Sequence, residues 1–198
     1  MGAIAIIPAR GGSVRIPGKN WKEFHGRPII EYSIEKAWKS DLFEQVVVTT
    51  DDHNIAAVSD KLGAMVIWRS ADLAMDYIGT QMVTSCTLNQ FKGWIQYACC
   101  IYPTAPLMED ADLHKGFSLL RNNEALHDFA MAVGTEPLRD AGQWYWGTVQ
   151  AFKENRPLIS PRTVMVPIPE ERVCDINTEE DFQEAHRKWT IMQGGIVK

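Results

Sequence analysis

The sequence predicts an α/β fold, a mostly parallel sheet with helices on both faces, and three observations carry that expectation. The run Ala3-Ile4-Ala5-Ile6-Ile7 is apolar without polar alternation, the pattern of a strand buried on both faces. Segments with strand and helix patterning then alternate along the chain, as crossover units of a parallel sheet do. Between the first of each lies Pro8-Ala9-Arg10-Gly11-Gly12-Ser13-Val14-Arg15-Ile16-Pro17-Gly18-Lys19-Asn20, with adjacent glycines and three cations. Glycine lets backbone N–H groups approach an anion, and Arg and Lys supply the opposing charge. A loop of this kind after the first strand is where a nucleotide's phosphates usually sit. It contains neither GxxxxGK[ST] nor GxGxxG, which excludes a Walker A loop and a dinucleotide fingerprint.

The remaining elements follow in order. Arg27–Trp38 reads as a helix, with Pro28 in its first turn and Ile30, Ile34 and Trp38 four apart. Gln45–Thr50 is a second buried strand, and Asp51 and Asp52 cap the helix that runs through Lys61 to Gly63, with a contribution to the site as the alternative. Ala64–Trp68 is a short strand, Thr80–Phe91 a helix and Tyr97–Ile101 a strand. Tyr102-Pro103-Thr104-Ala105-Pro106 must be a loop, and Asp110–Arg121 is a helix. Phe129–Val133 is a strand, Gly147–Lys153 a strand-to-helix passage and Thr163–Ile168 a late strand. Thr178 caps a last helix whose positive first turn receives Glu179, Glu180 and Asp181. Ligands of such sheets bind beyond the carboxyl ends of the strands. The loops after Ile7, Thr50, Trp68 and Ile101 therefore line one mouth.

A length of 198 residues fits one domain, able to bury roughly 70% of its unfolded surface. The formal charge of −5 argues against general nucleic-acid binding. An acidic protein with a basic loop is instead suited to small anions. No apolar stretch is long enough to cross a membrane, and no secretory leader is visible, so a cytoplasmic location is expected. Of the four cysteines, Cys99 and Cys100 are adjacent in a strand and fall on opposite faces. No CxxC spacing occurs, so Cys86, Cys99, Cys100 and Cys174 read as structural thiols rather than zinc ligands. His25, His53, His114, His127 and His186 show no metal spacing either.

Together, Ala9-Arg10-Gly11-Gly12-Ser13-x-Arg15-Ile16-Pro17-x-Lys19-Asn20, Thr50-Asp51-Asp52, Arg69 with Asp72-Leu73-Ala74, Gly79-Thr80 and Asp175-Ile176-x-Thr178-x-x-Asp181-Phe182 resemble the cytidylyltransferases that activate acidic sugars as CMP conjugates. The resemblance runs from about Ala3 to Ala185. Cys99-Cys100-Ile101-Tyr102-Pro103-Thr104-Ala105-Pro106 and Asp140-Ala141-Gly142-Gln143-x-Tyr145-Trp146-Gly147 are similar to its pseudaminic acid branch. The resemblance implies a single Rossmann-like, GT-A-like nucleotidyltransferase domain that uses CTP and a nine-carbon acidic sugar. Sialic, legionaminic and 3-deoxy-octulosonic acids are alternative substrates. A nucleotide-binding protein without turnover is the rival from another class, and a nicotinamide oxidoreductase is disfavoured by the loop.

In this family the sugar's anomeric hydroxyl attacks the α-phosphate of CTP and expels pyrophosphate. The resemblance implies that Arg10 and Lys19 contact the triphosphate, with Gly11, Gly12 and Ser13 offering N–H groups and a hydroxyl. Asn20 would read the cytosine edge, an amide being both donor and acceptor. Arg69 and Thr80 would touch the nucleoside, Thr80 being equally placed to cap its helix. Tyr102 and Gln143 are candidates for sugar or nucleotide contact, whereas Trp144, Tyr145 and Trp146 could equally be core and support. Mg²⁺ would centre on Asp175, joined by Asn177 from the same side of an extended segment.

Three departures from the family stand out. Val14 replaces a usual lysine, and a lost charge-assisted contact costs about 1.5–3 kcal/mol unless Arg15 turns inward. Asn177 replaces a usual aspartate, which removes one negative charge from the metal site. The longer excursion that in the family helps form a homodimer and closes over the sugar is reduced to Gly134–Arg139.

Overall fold

The computed structural model describes residues 2–75, 77–91 and 94–194. Its sheet grows outward from β1 (Gly2–Pro8), every residue of which is buried. On one side β1 pairs with β4 (Gln45–Thr50), and β4 with the edge strand β5 (Met65–Trp68), all parallel. On the other side lies β6 (Ile95–Ile101), again parallel to β1. Beyond it come β8 (Leu138–Thr148), β7 (Phe129–Thr135) and β9 (Thr163–Pro167), giving the order β5-β4-β1-β6-β8-β7-β9. Only β8 runs antiparallel to its neighbours. The α/β expectation, with a mostly parallel sheet and helices on both faces, is therefore met.

Alternation along β1 divides the core. Ala3, Ala5 and Ile7 enter one cluster with Ile30 and Ile34 of α1 (Ile29–Lys39), Ile55 of α2 (His53–Lys61) and Leu113 and Phe117 of α4 (Asp110–Asn122). Ile4 and Ile6 enter a second with Leu88 of α3 (Thr80–Leu88) and Phe152 of α5 (Val149–Lys153). Cys99 joins the first and Cys100 the second, on opposite faces as expected, and all four cysteines are free. A third cluster packs Ile16 of the first loop and Phe24 against Ile176, Phe182 and Ala185, the last two on α6 (Glu179–Met192).

The differences from the expected elements have local causes. The first helix begins at Ile29, because Arg27–Pro28 pairs with Glu23–Phe24 as a small hairpin (β2 and β3), leaving Pro28 at the N-cap. Asp52 caps α2 by accepting from the N–H groups of Asn54 and Ile55, whereas Asp51 does not share that role. Residues 138–148, expected to become a strand only from Gly147, form β8 throughout. The segment Gly134–Arg139 closes a hairpin, with Gly134 opposite Arg139 and Thr135 opposite Leu138. Glu170 anchors that tip: its Oε1 accepts from the N–H groups of Thr135 and Glu136, and its Oε2 from Arg139. No described helix is long and apolar enough to cross a membrane.

Candidate active site

At the carboxyl ends of β1, β5 and β6 lies a cleft of about 530 Å³. The first loop supplies one wall with Arg10, Ser13, Val14, Arg15, Lys19 and Asn20. Arg69 follows β5, Thr80 opens α3, Tyr102 follows β6, and Asp175 and Asn177 close the rim just before α6. The carboxyl ends of the parallel strands thus bring together residues as far apart in sequence as Pro8 and Asn177.

The first loop is held from both sides. Gly11 donates its N–H to Asp51 Oδ1 (2.8 Å). A Cβ on Gly11 would meet Asp52 Oδ2 at 2.7 Å, so glycine is needed there for close packing. Ser13 donates its N–H to the Gly11 carbonyl (2.9 Å). Two of the three N–H groups expected to face phosphate are therefore engaged within the protein, which corrects their role for Gly11 and Ser13; Gly12 stays exposed. Asn20 is buried, and its Nδ2 donates to the Arg10 carbonyl (2.8 Å). That amide shapes the loop and faces the cleft at once.

Charge is concentrated here against burial. Lys19 Nζ donates to the Ile176 carbonyl (2.6 Å), and burial pushes its pKa below the usual lysine range. Arg15 and Arg10 push it down further, while Asp175 and Asp181 oppose them. Arg15 and Val14 both line the cleft and both are exposed. Arg15 adds a charge on that wall near Lys19, which Val14 does not. Arg69 is likewise depressed by burial, with Asp51 opposing, and its Nη2 donates to the Thr49 carbonyl (2.9 Å). Its buried Nε has no hydrogen-bond partner among the described residues. A cleft lined by several cations, Lys19 and Arg69 among them half-buried, favours a polyanion.

Two hydroxyl-bearing side chains, Thr80 and Tyr102, also line the cleft. Thr80 is the first residue of α3, with Gly79 at the N-cap, and its Oγ1 lies 2.7 Å from Tyr145 OH. Capping by Thr80 is thereby set aside. Burial raises the Tyr102 phenol well above its ordinary pKa, with Asp140 adding to the effect, and Tyr102 OH donates to Asp140 Oδ2 (3.3 Å). Gln143, expected at the substrate, is buried outside the cleft and donates its Nε2 to the Arg172 carbonyl (2.8 Å). Asp140 is the support that sequence reasoning missed, because its partner Tyr102 lies 38 positions away. Tyr145 supports the site through Thr80, as the sequence allowed, and Asp51 contributes through the Gly11 N–H, the lesser of its two expected roles.

Asp175 and Asn177 do face the same side, since Asn177 Nδ2 donates to Asp175 Oδ2 (2.6 Å). Among the described residues no group of three or more His, Cys, Asp or Glu is arranged to hold a metal. A carboxylate and an amide carbonyl at an open rim nevertheless fit a hard cation that takes its other ligands from phosphate and water.

The comparisons agree with this geometry. The structure of CMP:2-keto-3-deoxy-manno-octonic acid synthetase complexed with CTP has the same fold, with a TM-score of 0.76 at 16% identity, over 98% of this chain and 100% of that one. Pseudaminic acid cytidylyltransferase of Campylobacter jejuni is 31% identical over 217 aligned positions, covering 92% of this chain and 94% of the relative. CMP-N,N'-diacetyllegionaminic acid synthase of Legionella pneumophila is 39% identical over 110 positions, 54% of this chain and 47% of the relative. Residues 4–186 match the cytidylyltransferase family as a whole, a span that takes in every wall of the cleft. On that match, joined to a nucleotide-type fold and a polyanion cleft at its strand ends, the chain belongs to the cytidylyltransferase family.

Proposed function

We propose that this chain transfers CMP from CTP to the anomeric hydroxyl of pseudaminic acid, releasing pyrophosphate in a Mg²⁺-dependent reaction. The observation that carries the reading is the convergence of Arg10, Arg15, Lys19 and Arg69 on one cleft that Asp175 also lines. An in-line displacement at phosphorus needs alignment and neutralised phosphate oxygens rather than covalent chemistry from the protein. Arg10, Arg15 and Lys19 bind and orient the triphosphate, and Lys19 is fixed by the Ile176 carbonyl. Asn20 reads the cytosine, Arg69 and Thr80 hold the nucleoside, and Tyr102 bounds the acceptor side. Asp175 and Asn177 would hold Mg²⁺, which when bound neutralises charge on the phosphate oxygens.

Pseudaminic acid is favoured over related sugars because that relative matches along nearly its full length. A diacetyllegionaminic acid substrate is the second reading, supported by higher identity over half of the chain. The alignment of 217 positions exceeds this chain's 198 residues, so the Campylobacter protein carries residues that this chain lacks. We infer that the anchored hairpin at 134–139 stands where that relative is longer. A homodimer in the cytoplasm, where CTP is made, completes the reading, and native mass tests the dimer. The deciding experiment is pyrophosphate release from CTP and Mg²⁺ with pseudaminic, diacetyllegionaminic and N-acetylneuraminic acids in parallel. Release with pseudaminic acid alone is expected. Release with another sugar instead reassigns the substrate, and CTP binding without release from any overturns the transferase reading.

A further inference from the structure

Where β8 passes the cleft, its pairing with β7 is interrupted. Val133 is opposite Asp140 and Met131 is opposite Tyr145, so residues 141–144 of β8 face Ala132 alone. Such bulges bend a strand and re-aim its residues, and they recur beside functional sites. This one leans on the segment that carries Asp175. Ala141 accepts from the Cys174 N–H (3.3 Å), and Gln143 Nε2 donates to the Arg172 carbonyl (2.8 Å). Gly142 lies so close that a Cβ there would be 2.4 Å from Asp175 Cα, and its φ of +67° suits glycine.

Residues 140–143 also hold the cleft wall. Asp140 Oδ1 accepts from the Gly142 N–H (2.8 Å), closing the turn, while its Oδ2 accepts from Tyr102 OH (3.3 Å). The Gln143 carbonyl accepts from the Tyr102 N–H (2.8 Å). Arg172 is itself pinned by an ion pair to Asp112 of α4, so the far end of the segment cannot drift. One unit therefore grips Tyr102 with one hand and the Asp175 segment with the other. Gln143 keeps its buried Oε1 unpartnered among the described residues, so the bond from Nε2 is the polar tie its side chain contributes.

We propose that the β8 bulge, Asp140–Gln143, is a positioning unit that sets Asp175 relative to the Tyr102 wall and so controls the affinity of the cleft for a divalent cation without touching nucleotide. The inference rests on the metal reading given above. Residues behind metal ligands characteristically alter metal affinity when replaced.

The test separates metal binding from nucleotide binding. Mn²⁺ is titrated into the protein with CTP and followed by electron paramagnetic resonance, and CTP is titrated separately in EDTA by calorimetry. Gly142→Ala pushes on Asp175 directly, whereas Gln143→Leu keeps the backbone and removes only the Arg172 tie. For both, the Mn²⁺ dissociation constant should rise about tenfold or more, with CTP affinity in EDTA changed by less than about twofold. Unchanged Mn²⁺ affinity in folded Gln143→Leu overturns the proposal, as does an equal loss of metal-free CTP binding, which would make Gln143 a substrate contact. Failure of the unaltered protein to bind Mn²⁺ would overturn the metal reading and this inference with it.

Discussion

Arg69 shows how one side chain can be structural and chemical together. Its Nη2 ties β5 to the Thr49 carbonyl, and its buried Nε keeps an unmet donor beside the cleft. A ligand oxygen that accepts there gains a charge-assisted bond of about 1.5–3 kcal/mol. Arg69→Met should therefore weaken CTP binding about 10- to 100-fold, as calorimetry would show. Asn177 is the opposite case. Its Nδ2 occupies one oxygen of Asp175 and brings no charge of its own. Asn177→Asp should lower the Mg²⁺ concentration for half-maximal activity several-fold, because carboxylate count tunes affinity for hard cations; an unchanged metal dependence would refute this. Identities in the first loop were legible because Gly, Arg and Lys announce anion binding. The use of Gly11's N–H was not, because its partner Asp51 lies forty residues away in sequence.

Among the elements, α6 was the easiest to foresee. Thr178 accepts from the Asp181 N–H (3.2 Å), and Asp181 Oδ2 accepts from the Thr178 N–H (2.8 Å), a reciprocal cap written within four residues. Thr178→Ala should cost about 1 kcal/mol and lower Tm by roughly 2–4 °C, read by thermal unfolding. The parallel strands were equally legible, since burial on both faces leaves continuous apolar runs such as Val46-Val47-Val48. β8 was hidden because its Trp144-Tyr145-Trp146 run is compatible with any packed core, and its partner β6 ends nearly forty residues earlier in the chain. Its bulge further blurs the period-two pattern that reveals strands. β2 and β3 are two residues each, too short to leave any period at all.

At the scale of the molecule, the end of the sheet away from the cleft is fastened by charge. Asp128 is buried and accepts from both Arg156 and Arg162, chiefly Arg162, which holds its carboxyl below the usual range. A depressed carboxyl stabilises the fold above its unfolded pKa and loses that contribution as pH falls through the folded value. Asp128→Asn should lower Tm by a few degrees near neutrality, with the difference shrinking as the medium is acidified below about pH 4, in thermal scans from pH 7 to 3. The cleft depends on a different union. Ile16 of the first loop is packed on Ile176 and Phe182, residues that come more than 150 positions later. β1, likewise, completes its pairing only with β6, some ninety residues on. Contacts that span so much chain form late and slow the search for the native state. During synthesis the first loop would be made well before α6, the helix it packs on. A growing chain would thus pair most of its sheet before that loop is held, and the order of the cleft would arrive with α6.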